Sequence, residues 1–99
     1  MTFIQTITFV TDQVEAVEAK MDEWIAATTG RRTAQRATLA ANRDHFNTYV
    51  QIVEFPSYES AMENSRLTQT GEFANTLATL CNAPPIFQNL DVRRVDNLT

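Results

Sequence analysis

The stretch Tyr49-Val-Gln-Ile-Val-Glu-Phe55-Pro-Ser-Tyr-Glu-Ser-Ala-Met-Glu-Asn-Ser-Arg-Leu67 reads as a strand turning through one corner into a helix. Residues 49–55 are rich in β-branched and aromatic types, with Tyr49, Gln51, Val53 and Phe55 on one face and Val50, Ile52 and Glu54 on the other. Pro56 has no N–H to give a sheet ladder, so the strand should end before it. Ser57 then supplies a hydroxyl to cap a helix, and Glu59 falls where the helix dipole favours negative charge.

Working outward, residues 3–10 alternate in the same way. Phe3, Gln5, Ile7 and Phe9 face one side and Ile4, Thr6, Thr8 and Val10 the other, so both faces carry apolar groups. Asp12-x-x-Glu15 has the form of a capping box opening a helix. In that helix Val14, Val17, Met21, Trp24, Ile25 and Thr28 make one stripe, and Gly30 closes it. Arg31 to about Asn42 reads as an edge strand of poor apolar content, and residues 42–47 as a polar hairpin loop. The helix opened at Ser57 is expected to break near Thr68-Gln-Thr-Gly71 and resume with Phe73, Leu77, Leu80 and Cys81. Asn82-Ala-Pro-Pro85 ends it, and Ile86 to about Val95 forms the last strand.

The order β-α-β-β-α-β predicts an α+β, ferredoxin-like chain: a four-stranded antiparallel sheet with two helices on one face, in one domain spanning 1–99. Helices cover only one face of such a sheet, and the other still carries apolar residues. A second copy about a two-fold axis is the simplest cover, so a homodimer pairing through its sheets into an α/β barrel is expected.

Composition narrows the function classes. The chain has 99 residues, 43% of them hydrophobic, and a formal charge of −4, with its basic residues scattered or in short pairs. Such an acidic domain lacks the basic face that nucleic-acid binding requires. No segment is long and apolar enough to span a bilayer, and the N-terminus lacks the basic and apolar blocks of a signal peptide, so a soluble, cytoplasmic protein is expected. Cys81 stands alone, which excludes an intrachain disulfide, and it reads as a buried small hydrophobe. One His and one Cys in unrelated elements cannot build a zinc set, and no calcium-loop spacing occurs.

Element order, length and the phrase Val-Glu-Phe-Pro-Ser-Tyr-Glu-Ser-Ala-Met at 53–62 give the chain a resemblance to the dimeric α/β-barrel superfamily, in particular to small antibiotic-biosynthesis-monooxygenase-like domains. The resemblance implies one of several outcomes: a cofactor-free oxygenase acting on polyphenols or quinols, a haem-degrading enzyme, or a domain without catalysis. Quinol-oxidising members commonly carry one His in the second helix and another before an aromatic where the helix resumes. Here Asn64 and Ser65 stand near the first place and Gly71-Glu72-Phe73 near the second. The only histidine, His45, falls in the hairpin loop rather than on a helix facing a pocket, which argues against haem. No cofactor is expected.

A pocket in this architecture belongs between helices and sheet. The candidate catalytic residues are Asn64, Tyr49 and Arg66, as holders of an enolate or phenolate oxygen. The candidate substrate-binding residues are Trp24, Gln51, Met62 and Phe73. Each has a plainer reading: Trp24 as core, Tyr49 as a packed ring, Asn64 and Arg66 as solvated side chains, Arg66 paired with Glu63 or Glu59. Glu54 is placed to pair with an Arg of a neighbouring strand, such as Arg36 or Arg93, in the dimer. Two functions follow: a cofactor-independent monooxygenase-like enzyme on an aromatic or polyketide-type substrate, or a non-catalytic dimeric module binding a small aromatic or apolar ligand.

Overall fold

A computed structural model describes residues 2–99. Its elements run β1 (Phe3–Val10), α1 (Val14–Ala27), β2 (Arg36–Ala41), β3 (Thr48–Phe55), α2 (Tyr58–Ser65), α3 (Thr68–Leu80) and β4 (Ile86–Asp91). The strands form one antiparallel sheet in the order β2-β3-β1-β4, the ferredoxin-like arrangement. The long strands β1 and β3 take the centre, pairing Phe3 with Phe55 and Val10 with Thr48.

All three helices lie on the face that carries Phe3, Ile7, Phe9 and Phe55, as the alternation in β1 and β3 predicts. The apolar interior on this face comes in two pieces. Ile7, Phe9, Val17 and Leu77 form one, joined by Met21, Leu39, Tyr49 and Phe73. Phe3, Phe55 and Ala61 form the other, joined by Val53 and Met62. Aromatic pairs stiffen both: Phe9 stacks on Tyr49 with centroids 5.7 Å apart, and Phe3 meets the edge of Tyr58 at 5.5 Å. Each fully buried Phe stabilises the fold by roughly 1.5–3 kcal/mol. Between the two pieces the same face presents Gln5 and Gln51.

The corner at Pro56 forms as the sequence implies. β3 stops at Phe55, and Ser57 Oγ accepts from the Ser60 N–H at 3.1 Å. Four other expectations are corrected. The Asp12–Glu15 capping box does not form: Thr11 Oγ1, fully buried, accepts from Gln13 N–H at 3.0 Å and donates to the Leu80 carbonyl at 2.6 Å. One hydroxyl thus ties the start of α1 to the end of α3, and Asp12 and Glu15 remain exposed.

The second strand starts at Arg36 rather than Arg31. Residues ahead of it are committed elsewhere: Thr33 donates its N–H to Asn64 Oδ1 and its hydroxyl to the Ser60 carbonyl. A backbone pinned to α2 in this way cannot join the sheet ladder. The last strand ends at Asp91, not Val95. The helix break falls at Arg66–Leu67, three residues before the expected place, so there are three helices and Gly71 lies inside the first turns of α3. Leu67, with φ −64° and ψ 134°, is the residue that leaves the helical region. Gly30 closes the α1 turn with φ +81°, a left-handed conformation suited to glycine.

The other face of the sheet is uncovered. Ile4, Val50, Ile52, Leu90 and Ile86 lie on it beside threonines, with Leu90 44% and Ile86 60% exposed. At its border Arg36 pairs with Glu54 at 2.9 Å across β2 and β3, so this expected pairing forms within one chain.

Candidate functional site

The alternation that builds the core also builds a cavity. α1 touches the sheet through Val17, then its second half stands clear of the strands while it packs on α3. The gap is a cavity of about 480 Å³, within the range of small-molecule sites. Its floor is Gln5 and Ile7 of β1, Gln51, Val53 and Phe55 of β3, and Ala37 and Leu39 of β2. Its walls are Met21, Trp24 and Ile25 of α1, Asn64 of α2, and Thr70 and Phe73 of α3. Glu18 and Asp22, one helical turn apart, stand at the solvent side with Ile25.

Four expected residues meet here: Asn64, Trp24, Gln51 and Phe73. Three do not. Tyr49 is one step along β3 from the cavity, its ring stacked on Phe9 in the core. Arg66 is exposed at the α2–α3 joint and forms no ion pair with Glu59 or Glu63 among the described residues. Met62 points into the smaller apolar cluster with Phe3 and Phe55. The displaced helix break accounts for part of this: it turns Arg66 outward and brings Thr70 inward. His45 sits exposed in the hairpin loop.

All but one of the cavity's amide, hydroxyl and indole groups are held by their neighbours. Asn64, 5% exposed, accepts from the Thr33 N–H through Oδ1 at 3.2 Å, which leaves Nδ2 and its two hydrogens as its free donors. Trp24 Nε1 donates to Thr70 Oγ1 at 2.9 Å, bracing α1 on α3 across the cavity wall. Arg32 sits 5.8 Å from the Trp24 ring centroid while its guanidinium caps the Ile25 carbonyl, so the indole is fixed from outside as well. Gln5 Nε2 donates to Asn89 Oδ1 at 3.1 Å on β4. Gln51 Oε1 is buried and has no partner among the described residues.

Gln5, Leu39 and Thr70 are site residues that sequence reasoning left out. Gln5 had a legible signal: it is a polar side chain on the alternation of Phe3, Ile7 and Phe9, as Gln51 is on that of Val53 and Phe55. Two amides on the buried face of adjacent strands interrupt an otherwise apolar floor. Thr70 carried no such signal, because the expected break put it in a loop.

Chemically, the chamber offers flat apolar walls, amide and hydroxyl groups, and carboxylates only at its rim. No His, Cys, Tyr, Lys or Arg lines it among the described residues. No group of three His, Cys, Asp or Glu able to hold a metal occurs among the described residues. Cys81 is half-buried at the end of α3, and burial pushes its thiol up from the ordinary value. No helix among the described residues is long and apolar enough to cross a membrane.

No family model matches the chain, and no curated protein matches it in sequence. Solved structures do match in fold. SnoaB, a cofactor-independent oxygenase from Streptomyces nogalater solved as an asparagine-to-alanine variant, is 17% identical, with a TM-score of 0.76 over 95% of this chain and 94% of its own. Rv0793 from Mycobacterium tuberculosis is 15% identical, with a TM-score of 0.75 over the whole of both chains. A protein described as an antibiotic biosynthesis monooxygenase is 12% identical, with a TM-score of 0.73 over 95% of this chain and 100% of that one. By its fold, this chain is a ferredoxin-like α+β protein, similar in fold to SnoaB, Rv0793 and that monooxygenase.

Proposed function

We propose that the chain is a cofactor-independent oxygenase acting on a planar aromatic ketone or phenol of polyketide type. The observation that carries this reading is Asn64. Its amide is oriented by the Thr33 N–H on Oδ1, which leaves the Nδ2 hydrogens unused, beside Trp24 and Phe73. A carbon acid such as an anthrone loses a proton to water to form an enolate, and an N–H of Asn64 Nδ2 stabilises the oxygen on which that charge develops. The enolate's own electrons then reduce dioxygen. One oxygen atom stays on carbon as a new carbonyl, the other leaves as water, and no external reductant is consumed. SnoaB supports the reading, as an oxygenase of this kind with the same fold.

The test is oxygen uptake with anthrones and hydroquinones. Turnover is expected with wild type and a fall of about a hundredfold or more in kcat for Asn64→Ala. Unchanged kcat in that variant would remove the proposal.

A second reading, a non-catalytic module binding a small aromatic ligand, is favoured by one observation: the only titratable lining residues, Glu18 and Asp22, stand at the rim. Ligand binding without oxygen consumption would select it. In either case we infer that the open face of the sheet, with Ile4, Val50, Ile52 and Leu90, pairs with a second copy to form a homodimer in the cytoplasm.

A further inference from the structure

Among the described residues, Gln51 is the one cavity side chain with a polar atom both buried and unpartnered. It projects from the central strand β3 into the floor of the chamber and is 9% exposed. Its Oε1 is buried, with no hydrogen-bond partner among the described residues. The other amide and hydroxyl side chains of the lining, Asn64, Thr70 and Gln5, each hold a protein partner. An unpaired amide in a core costs free energy, and a leucine there would join the two apolar clusters at no such cost. The amide turns about its last torsion with little hindrance, because that torsion is broad and two-fold, so either end can be brought to the chamber.

We propose that Gln51 is a specificity residue for a hydroxyl on the bound molecule. A hydroxyl both donates and accepts, so it satisfies the amide whichever end it meets. With Asn64 Nδ2 offering unused N–H donors, the two amides define a ligand with a carbonyl or phenolate oxygen at one point and a free hydroxyl at another. The carboxylates of Glu18 and Asp22 at the rim, with no Lys or Arg lining the chamber among the described residues, disfavour a molecule that enters as an anion. This rests on the cavity being a ligand site, as in the reading above, but not on any turnover there.

Binding to ketones already at the oxidation level of the product separates the two. The probes are a hydroxyanthraquinone with its hydroxyl on an outer ring away from the carbonyls, the methyl ether of that compound, and unsubstituted anthraquinone. Trp24 is the only tryptophan and lines the cavity, so its fluorescence reports occupancy, with calorimetry as the independent measure. Wild type is expected to prefer the hydroxylated probe over the other two by about tenfold or more. Gln51→Leu is expected to bind all three within about threefold and, unliganded, to melt at a higher temperature than wild type. A preference that survives in Gln51→Leu, equal binding of the three by wild type, or binding of none would each overturn the proposal. Gln51-dependent preference without oxygen uptake on anthrones would leave it standing while the oxygenase reading fell.

Discussion

Replacing Asn64 by alanine withdraws the acceptor that holds the Thr33 N–H, and both groups are largely out of water. The expected loss of stability is about 1–3 kcal/mol, read from urea unfolding. Asn64→Asp separates that structural part from the chemical one. It keeps an oxygen for Thr33 but replaces the donor hydrogens, so turnover should fall as in the alanine variant while the Thr33 amide stays protected from hydrogen exchange. Cys81 belongs to the same scale. Burial disfavours its thiolate, so alkylation near neutral pH should be slower than for a free cysteine. The sign for stability follows: a folded-state value above the unfolded one means the contribution is whole below the ordinary thiol range and is lost as pH rises beyond it. A Cys81→Ala variant should lack that alkaline decline, as measured by thermal melts across pH.

Among the elements, the joints carry most of the information. Thr11 spans two helix ends with one hydroxyl, and Thr11→Val keeps the shape but leaves the Gln13 N–H and Leu80 carbonyl without it. A loss of about 1–3 kcal/mol is expected in chemical denaturation, more than a surface threonine would show. Gly71 tests the position of the helix break. It lies within α3 with nothing within 4 Å of where a Cβ would sit, so Gly71→Ala should stabilise by about 0.4–1 kcal/mol. Had the chain turned at Gly71, the same change would destabilise. These joints were the least legible parts of the sequence. Strands β1 and β3 could be read from strict alternation, and Ser57 from its place after Pro56. The break at Leu67 and the short β2 could not, because both depend on long-range hydrogen bonds, above all Thr33 to α2, that leave no periodic mark.

For the whole molecule, the order of elements was legible because each strand and helix has its own period, and the closing sheet then has one ferredoxin-like solution. Of the site, the residues that share a face with the core were legible: Gln51 on β3 and Trp24 on the α1 stripe. Arg66 and Tyr49 were misplaced because a helix phase and a cavity's end are tertiary facts. The uncovered face makes its own prediction. Ile52 lies mid-strand on that face, opposite Thr6 and Thr38, so Ile52→Lys should leave the fold intact. In sedimentation it should convert a wild-type dimer to monomer; a monomeric wild type at micromolar concentration would sink the paired assembly.

An interior divided by two glutamines has a further consequence. The two halves share strands but lack continuous grease across the middle, so whatever fills the chamber serves as a keystone. A guest present at a hundred times its dissociation constant would raise the unfolding free energy by about 2.7 kcal/mol. Heat tolerance of this protein is therefore a gauge of how full it is.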